Sequence, residues 1–163
     1  MTRSEAVNSV INFLSYNELT GHLMWTGYMN NLIGKRAGVQ GKDGYRYVRF
    51  NHYRIGEHRI CWLIANGEMP VQIDHINQIR NDNRLCNLRA ATNSQNSMNK
   101  KIQSNNTTGF KGVSFHKKSN KFCAKICLNG NRKSLGYFQT AEQAHQAYIK
   151  ASGELHGKFA RYQ

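Results

Sequence analysis

Between Val71 and Asn96 the chain reads VQIDHINQIRNDNRLCNLRAATNSQN. Asp74 and His75 stand side by side after a short apolar run, and Asn77, Asn81, Asn83, Asn87, Asn93 and Asn96 follow. Asparagine fills a core poorly, but it supplies a neutral hydrogen-bonding amide and favours turns. One carboxylate and one amide oxygen make a hard, sparse oxygen site that suits magnesium or manganese, with water and phosphate filling the remaining positions. A neutral imidazole beside such a cation can take a proton from water, because an unperturbed histidine titrates near ~6.5. A lone Asp-His pair is more often a turn or a satisfied surface pair, so the weight rests on the whole constellation.

Positioning these groups requires a particular succession of elements. Val71–His75 reads as a short strand and Leu88–Ala91 as its antiparallel partner across a long turn. Thr92 or Asn93 then caps a short helix carrying Asn96 and Asn99. Strand, strand and helix would bring Asp74, His75, Asn87 and Asn96 within reach of one another. Upstream, Val7, Val10, Ile11 and Leu14 lie at helical spacing and predict a helix over Ser4–Ser15. Strands follow at about Leu23–Thr26, Tyr45–Phe50 and Tyr53–Ile55, and HRICWLIANG reads as a helix stopped by Gly67. The stretch between Gly27 and Gly44 gives no signal. Downstream, FKGVSFH and FCAKICL alternate, Asn129-Gly130 predicts a hairpin turn, and RKSLGYF forms a third strand. Thr140 to Gln143 is a capping box that opens a helix with a small-residue face of Ala144, Ala147, Tyr148 and Ala151. By period two, Phe122, Ala124, Ile126 and Leu128 face that helix, while Lys121, Cys123, Lys125 and Cys127 face away.

Charge says what kind of partner to expect. The 163 residues hold 23 Lys+Arg against 9 Asp+Glu, a net charge of +14. Such an excess repels itself in a compact state and points to a polyanionic partner. Residues 105–163 carry ten basic and only two acidic side chains, and Asn105 to Ala141 hold seven basic residues and no acid. A narrow antiparallel sheet with a basic, uncovered face can enter the major groove of DNA. The polar junction KKIQSNNTTG places a domain boundary near residue 105. No signal peptide, membrane span, lipidation signal or basic amphipathic helix is visible, so a cytoplasmic location without membrane contact is expected. The four cysteines are scattered with no Cys-x-x-Cys pair, so neither structural zinc nor a disulfide framework is expected.

Residues 58–99 closely resemble the HNH endonucleases of phages and mobile introns. The resemblance rests on His58-Arg59, I-D-H-I-N around Asp74-His75, D-N-R at 82–84, N-L-R at 87–89 and T-x-S-x-N ending at Asn96. It implies a ββα-metal fold in which Asp74 and Asn96 ligate the metal and His75 is the general base. Asn87 would brace the loop holding His75. The motif's third letter is Asn96 and not histidine, as in one branch of the family. The family often has glycine where this chain has Gln78, so the loop there is expected to be shaped differently.

Residues 107–162 resemble the DNA-binding domain of plant ethylene-response factors, through GFKGV at 109–113, K-F-C-A-K-I at 121–126, S-L-G-Y-F at 134–138, T-A-E-Q-A at 140–144 and L-H-G at 155–157. Both tryptophan positions of the plant domains are lost, to Lys118 and Ser134, so backbone anchoring is expected to exceed base readout. The expected DNA contacts are Lys111, Ser114, His116, Lys118, Lys121, Lys125, Arg132 and Ser134.

Together these readings predict an α+β protein. A ββα-metal HNH nuclease domain (1–104) precedes a small three-stranded antiparallel sheet with one helix (105–163). The function implied is a magnesium- or manganese-dependent endonuclease of double-stranded DNA, leaving 5′-phosphate and 3′-hydroxyl ends, of the phage homing type, acting in a host bacterial cell. Monomer is favoured over dimer, with the oligomeric state left open by the sequence. Two rivals stand beside it: a DNA-binding regulator on an inert nuclease scaffold, and a nuclease directed at RNA, since charge does not tell DNA from RNA.

Overall fold

The structure, a computed structural model, describes residues 1–162. It is a mixed α+β chain that packs as two compact units, Met1–Ala91 and Thr92–Gln163.

In the first unit, α1 (Arg3–Val10) opens on a capping box between Thr2 and Glu5 and buries Ala6, Val7 and Val10. The helix is shorter than its apolar spacing predicts. Leu14 opens strand β1 (Leu14–Asn17), which pairs antiparallel with β2 (His22–Trp25), Leu14 opposite Trp25. Leu14, Leu23 and Trp25 are buried, so cross-strand burial overrides the local helical pattern. The silent stretch holds β3 (Val39–Gln40), paired with β4 (Arg46–Phe50), which pairs in turn with β5 (Tyr53–Gly56). Helix α2 (Glu57–Asn66) follows directly and ends at Gly67, whose φ of 76° closes it in the left-handed conformation that its sequence anticipates. Then come β6 (Gln72–His75) and β7 (Leu88–Ala91), an antiparallel pair. One core joins these elements other than the exposed β3: Val10, Leu14, Leu23, Trp25, Val48, Ile55, Ile60, Ile73 and Leu88, with Trp62 packed against it.

The second unit begins with α3 (Asn93–Met98), capped by a Thr92–Gln95 box. Strands β8 (Val113–His116), β9 (Lys121–Leu128) and β10 (Asn131–Phe138) form a sheet in the order β10-β9-β8. The β9–β10 turn has Asn129 at φ 50° and Gly130 at φ 82°, the two positive angles that an Asn-Gly hairpin requires. Helix α4 (Ala141–His156) packs on the sheet, Ala144 against Val113 and Ala124, Tyr148 and Ala151 against Ile126. Its small side chains allow the close approach. The division between units falls before α3, ahead of the boundary near residue 105 that composition suggested, because α3 hydrogen-bonds with residues of the C-terminal sheet unit: Asn129 N donates to Ser94 Oγ at 3.1 Å.

Candidate active site

The β6–β7 pair presents the Asp-His dipeptide. Its register sets Asp74 opposite Arg89 and His75 opposite Leu88. Arg89 donates from Nε (2.8 Å) and Nη2 (2.6 Å) to Asp74 Oδ2. Both side chains of the dipeptide are buried.

His75 sits among Asn83 of the connection that follows it and two rings from earlier in the chain. Its Nε2 lies 3.0 Å from Asn83 Oδ1, and its ring meets His58 of α2 edge-on at 5.4 Å and Tyr45 at 5.8 Å. Burial pushes the His75 imidazole below its ordinary value, against the opposing pull of Asn83, Asp74 and Asp82. Burial, with His75 and Arg59 adding to it, pushes His58 down to about 3. Both rings are therefore neutral at pH 7. An amide oxygen can only accept, so with Asn83 Oδ1 as partner His75 carries its proton on Nε2 and its lone pair on Nδ1.

Asn83 is held from outside the motif. Tyr16 of β1 donates its hydroxyl to Asn83 O at 2.8 Å, and Leu85 N donates to Glu18 O. The β1–β2 turn lies so close that a Cβ on Gly21 would stand 2.4 Å from Arg84 N and 2.6 Å from Asn83 C. Only glycine fits there. Asn83 Nδ2 is buried without a hydrogen-bond partner, which marks this amide as oriented by its oxygen.

The long connection from Ile76 to Cys86 is tied across by Asn87. Its Oδ1 accepts from Asn77 N (2.9 Å), its Nδ2 donates to Asp82 O (2.7 Å), and its backbone oxygen accepts from Ile76 N. Asn77 donates to Asp82 Oδ2 and accepts from Ile79 N. Hydrogen bonds from Arg84, with Asn77 helping, hold the Asp82 carboxyl down to about 2. Gln78 adopts φ 63°, the left-handed conformation for which glycine is the usual choice.

The structure thus gathers Asp74, His75 and Asn87 in the first unit, while Asn96 lies on α3 of the second. Among the described residues no three His, Cys, Asp or Glu side chains cluster as metal ligands. A resident cation would need amide, water and phosphate oxygens beside the Asp74 carboxylate. The Asp74 carboxylate and the Asn96 amide each carry a hard oxygen donor, the chemistry that magnesium or manganese takes. Sequence reasoning missed the Arg89 clamp and the His58–Tyr45 wall, and it read Asn83 as part of the long connection and a candidate further brace, without its role as the partner of His75. Arg89 and His58 stand within the motifs, and only the fold reveals their roles. It also missed the buried ion pair of Glu57 with Arg46 Nε (2.6 Å), which fastens the start of α2 to the β-sheet.

The other expected contacts divide. Ser114, Lys118, Lys125, Arg132 and Ser134 are exposed. Register sets Lys125 opposite Ser134 and Cys127 opposite Arg132, on the face away from α4. Lys121 is half-buried, and His116 faces Ser119 Oγ through Nδ1 at 2.9 Å. Lys111 differs from its expected role. Its Nζ is turned inward, donating to Met98 O (2.6 Å) and Lys100 O (2.8 Å).

The Asp-His pair is buried on a β-hairpin whose loop is tied by asparagine, and the sequence comparisons say to which family such a chain belongs. Residues 56–98 match the family described as HNH endonuclease. A protein of Acanthamoeba polyphaga mimivirus described as an uncharacterized HNH endonuclease is 34% identical over 132 residues, covering 79% of this chain and 67% of the relative. Protein 3.8 of Escherichia phage T7 is 34% identical over 107 residues, 64% of this chain and 88% of its own length. No solved structure matches the chain significantly. The chain belongs to the HNH endonuclease family. No helix among the described residues is long and apolar enough to cross a membrane.

Proposed function

We propose that the protein is a metal-dependent endonuclease of double-stranded DNA. The observation that carries this reading is the buried, neutral His75, held by Asn83 beside the Asp74 carboxylate. Asp74 and Asn96 would hold magnesium or manganese, which when bound supplies Lewis-acid stabilisation of the charge on the scissile phosphate and on the leaving 3′-oxygen. His75 Nδ1 takes the proton of the attacking water, while Asn83 keeps the other ring nitrogen protonated. Asn87 holds the loop on which His75 depends. Attack at phosphorus with loss of the 3′-oxygen leaves 5′-phosphate and 3′-hydroxyl ends. The exposed face of the second unit, with Ser114, His116, Lys118, Lys121, Lys125, Arg132 and Ser134, anchors the duplex mainly by its phosphates. A homing role in a bacterial host belongs to the same proposal, alongside the finding that one similar protein comes from a phage.

One observation favours a second reading, a DNA-binding regulator on an inert nuclease scaffold. Arg89 already neutralises the Asp74 carboxylate through two donors on Oδ2. Incubating supercoiled plasmid with the protein, with magnesium or with chelator, separates the two. Metal-dependent relaxed or linear product is expected, with loss of about 10²–10⁴ in rate for His75→Ala. Unchanged plasmid under every metal, with DNA still bound, would favour the regulator.

A further inference from the structure

Helix α3 is six residues long, and a helix that short does not persist in water by its own propensity. Its last turn carries no basic residue to meet the carbonyl end of the helix dipole. The missing cation comes from the loop before β8. Lys111 spends its ammonium on Met98 O at 2.6 Å and Lys100 O at 2.8 Å, the carbonyls at the end of α3. At the other end, the β9–β10 hairpin tip donates Asn129 N to Ser94 Oγ at 3.1 Å. Met98 and Asn99 are buried beside these bonds. We propose that Lys111 is a positioning residue that fastens α3, so that the sheet unit itself sets Asn96, the proposed metal ligand, and that Lys111 is not a phosphate contact.

This inference rests on the metal-ligand reading of Asn96 for its functional consequence, and on hydrogen bonds within the second unit for its structural part. The two are separable. An ammonium donating to two backbone carbonyls has one of its three N–H groups left, and the half-buried stem points it inward. Burial, together with Arg161, pushes Lys111 down to about 8, the mark of a cation drawn in from solvent. A lysine serving as a phosphate anchor has no reason to be withdrawn in this way.

The test uses the full-length chain. In metal-free protein, amide hydrogen exchange at Asn96, Asn99 and Lys100 should accelerate at least about ten-fold in Lys111→Met, the factor expected for losing charge-assisted bonds, and return near wild type in Lys111→Arg. Manganese affinity should fall in Lys111→Met, as it should in Asp74→Ala. The slope of log DNA affinity against log salt should stay unchanged, whereas loss of a phosphate contact would flatten it by about 0.9. Ser94→Ala leaves every charge in place and keeps the test available if Lys111→Met does not fold. Exchange in α3 should then rise about five-fold, the contribution of one neutral hydrogen bond. Wild-type exchange in these variants, or a flattened salt slope, would overturn the proposal. So would manganese affinity that survives Lys111→Met but not Asp74→Ala. Manganese affinity unchanged in both would instead overturn the ligand reading and leave exchange and salt slope to judge the anchoring.

Discussion

At the scale of single residues, the proposed function separates groups that would act on substrate from groups that hold them. Asn87 spends its whole amide on the loop, with Oδ1 on Asn77 N and Nδ2 on Asp82 O. Asn87→Ala is therefore expected to lower cleavage while leaving metal affinity nearly unchanged, and Asp74→Ala to lose metal binding. Calorimetry on the two variants checks the division, and metal binding lost in Asn87→Ala would make that amide a ligand. His58 gives a pH prediction. Its folded value is about 3 against an ordinary 6.5, so below pH 6.5 the unfolded chain binds a proton that the folded chain refuses. The contribution is nil above pH 6.5 and grows against the fold as pH falls toward 3. His58→Phe keeps a ring against Tyr45 and His75 and cannot titrate. The difference in unfolding free energy between wild type and this variant should change by up to about 1.4 kcal/mol per pH unit across that window, the variant gaining on acidification. Denaturant melts from pH 7 to 4 measure it. Glu57, which burial pushes upward against the pull of Arg46, works with the opposite sign but is common to both proteins and cancels.

At the scale of elements, close approach is secured by glycine in both units. Gly21 brings the β1–β2 turn onto the backbone of Asn83 and Arg84, so a hairpin that no motif includes stands behind the amide oriented toward His75. Gly112 does the same for the second unit. It adopts φ 76°, and a Cβ there would meet the Tyr148 ring at 2.2 Å and Lys125 O at 2.9 Å. Gly112→Ala combines left-handed strain with overpacking and is expected to cost about 2–4 kcal/mol. Loss of α4 ellipticity at lower denaturant is the readout, and a midpoint equal to wild type would mean that Tyr148 swings aside at no cost.

At the scale of the whole molecule, the net charge of +14 fits the proposed nucleic-acid partner, and the second unit has Lys125 and Arg132 exposed. Neutralising both by Lys125→Ala and Arg132→Ala should flatten the slope of log affinity against log salt by about 1.8, roughly 0.9 for each phosphate contact released. Binding measured from low to moderate salt tests this, and an unaltered slope would show that the sheet meets something other than phosphate. The same variants leave Asp74, His75 and Asn87 untouched, so cleavage at low salt should persist.

What could be read without coordinates was whatever local chemistry determines. The Thr140 capping box, the Asn129-Gly130 turn and the Gly67 stop depend on neighbours in sequence and stand where the residues implied, and the Asp74-His75 strand and its Leu88–Ala91 partner were legible as two short apolar runs. Period two likewise sorted Ala124 and Ile126 onto the helix side of the sheet. Local spacing failed where pairing across a sheet overrides or supplies what the residues themselves do not signal. Leu14 belongs to a strand because Trp25 lies across from it, and β3 is stable only beside β4. Lys111 carried the charge expected of a DNA contact, yet the carbonyls at the end of α3 claim it. Which amide orients His75, and which cation holds Asp74, are questions of three-dimensional proximity. Tertiary structure answers them through Asn83 and Arg89, because a buried polar group takes the partner that packing brings within hydrogen-bond reach.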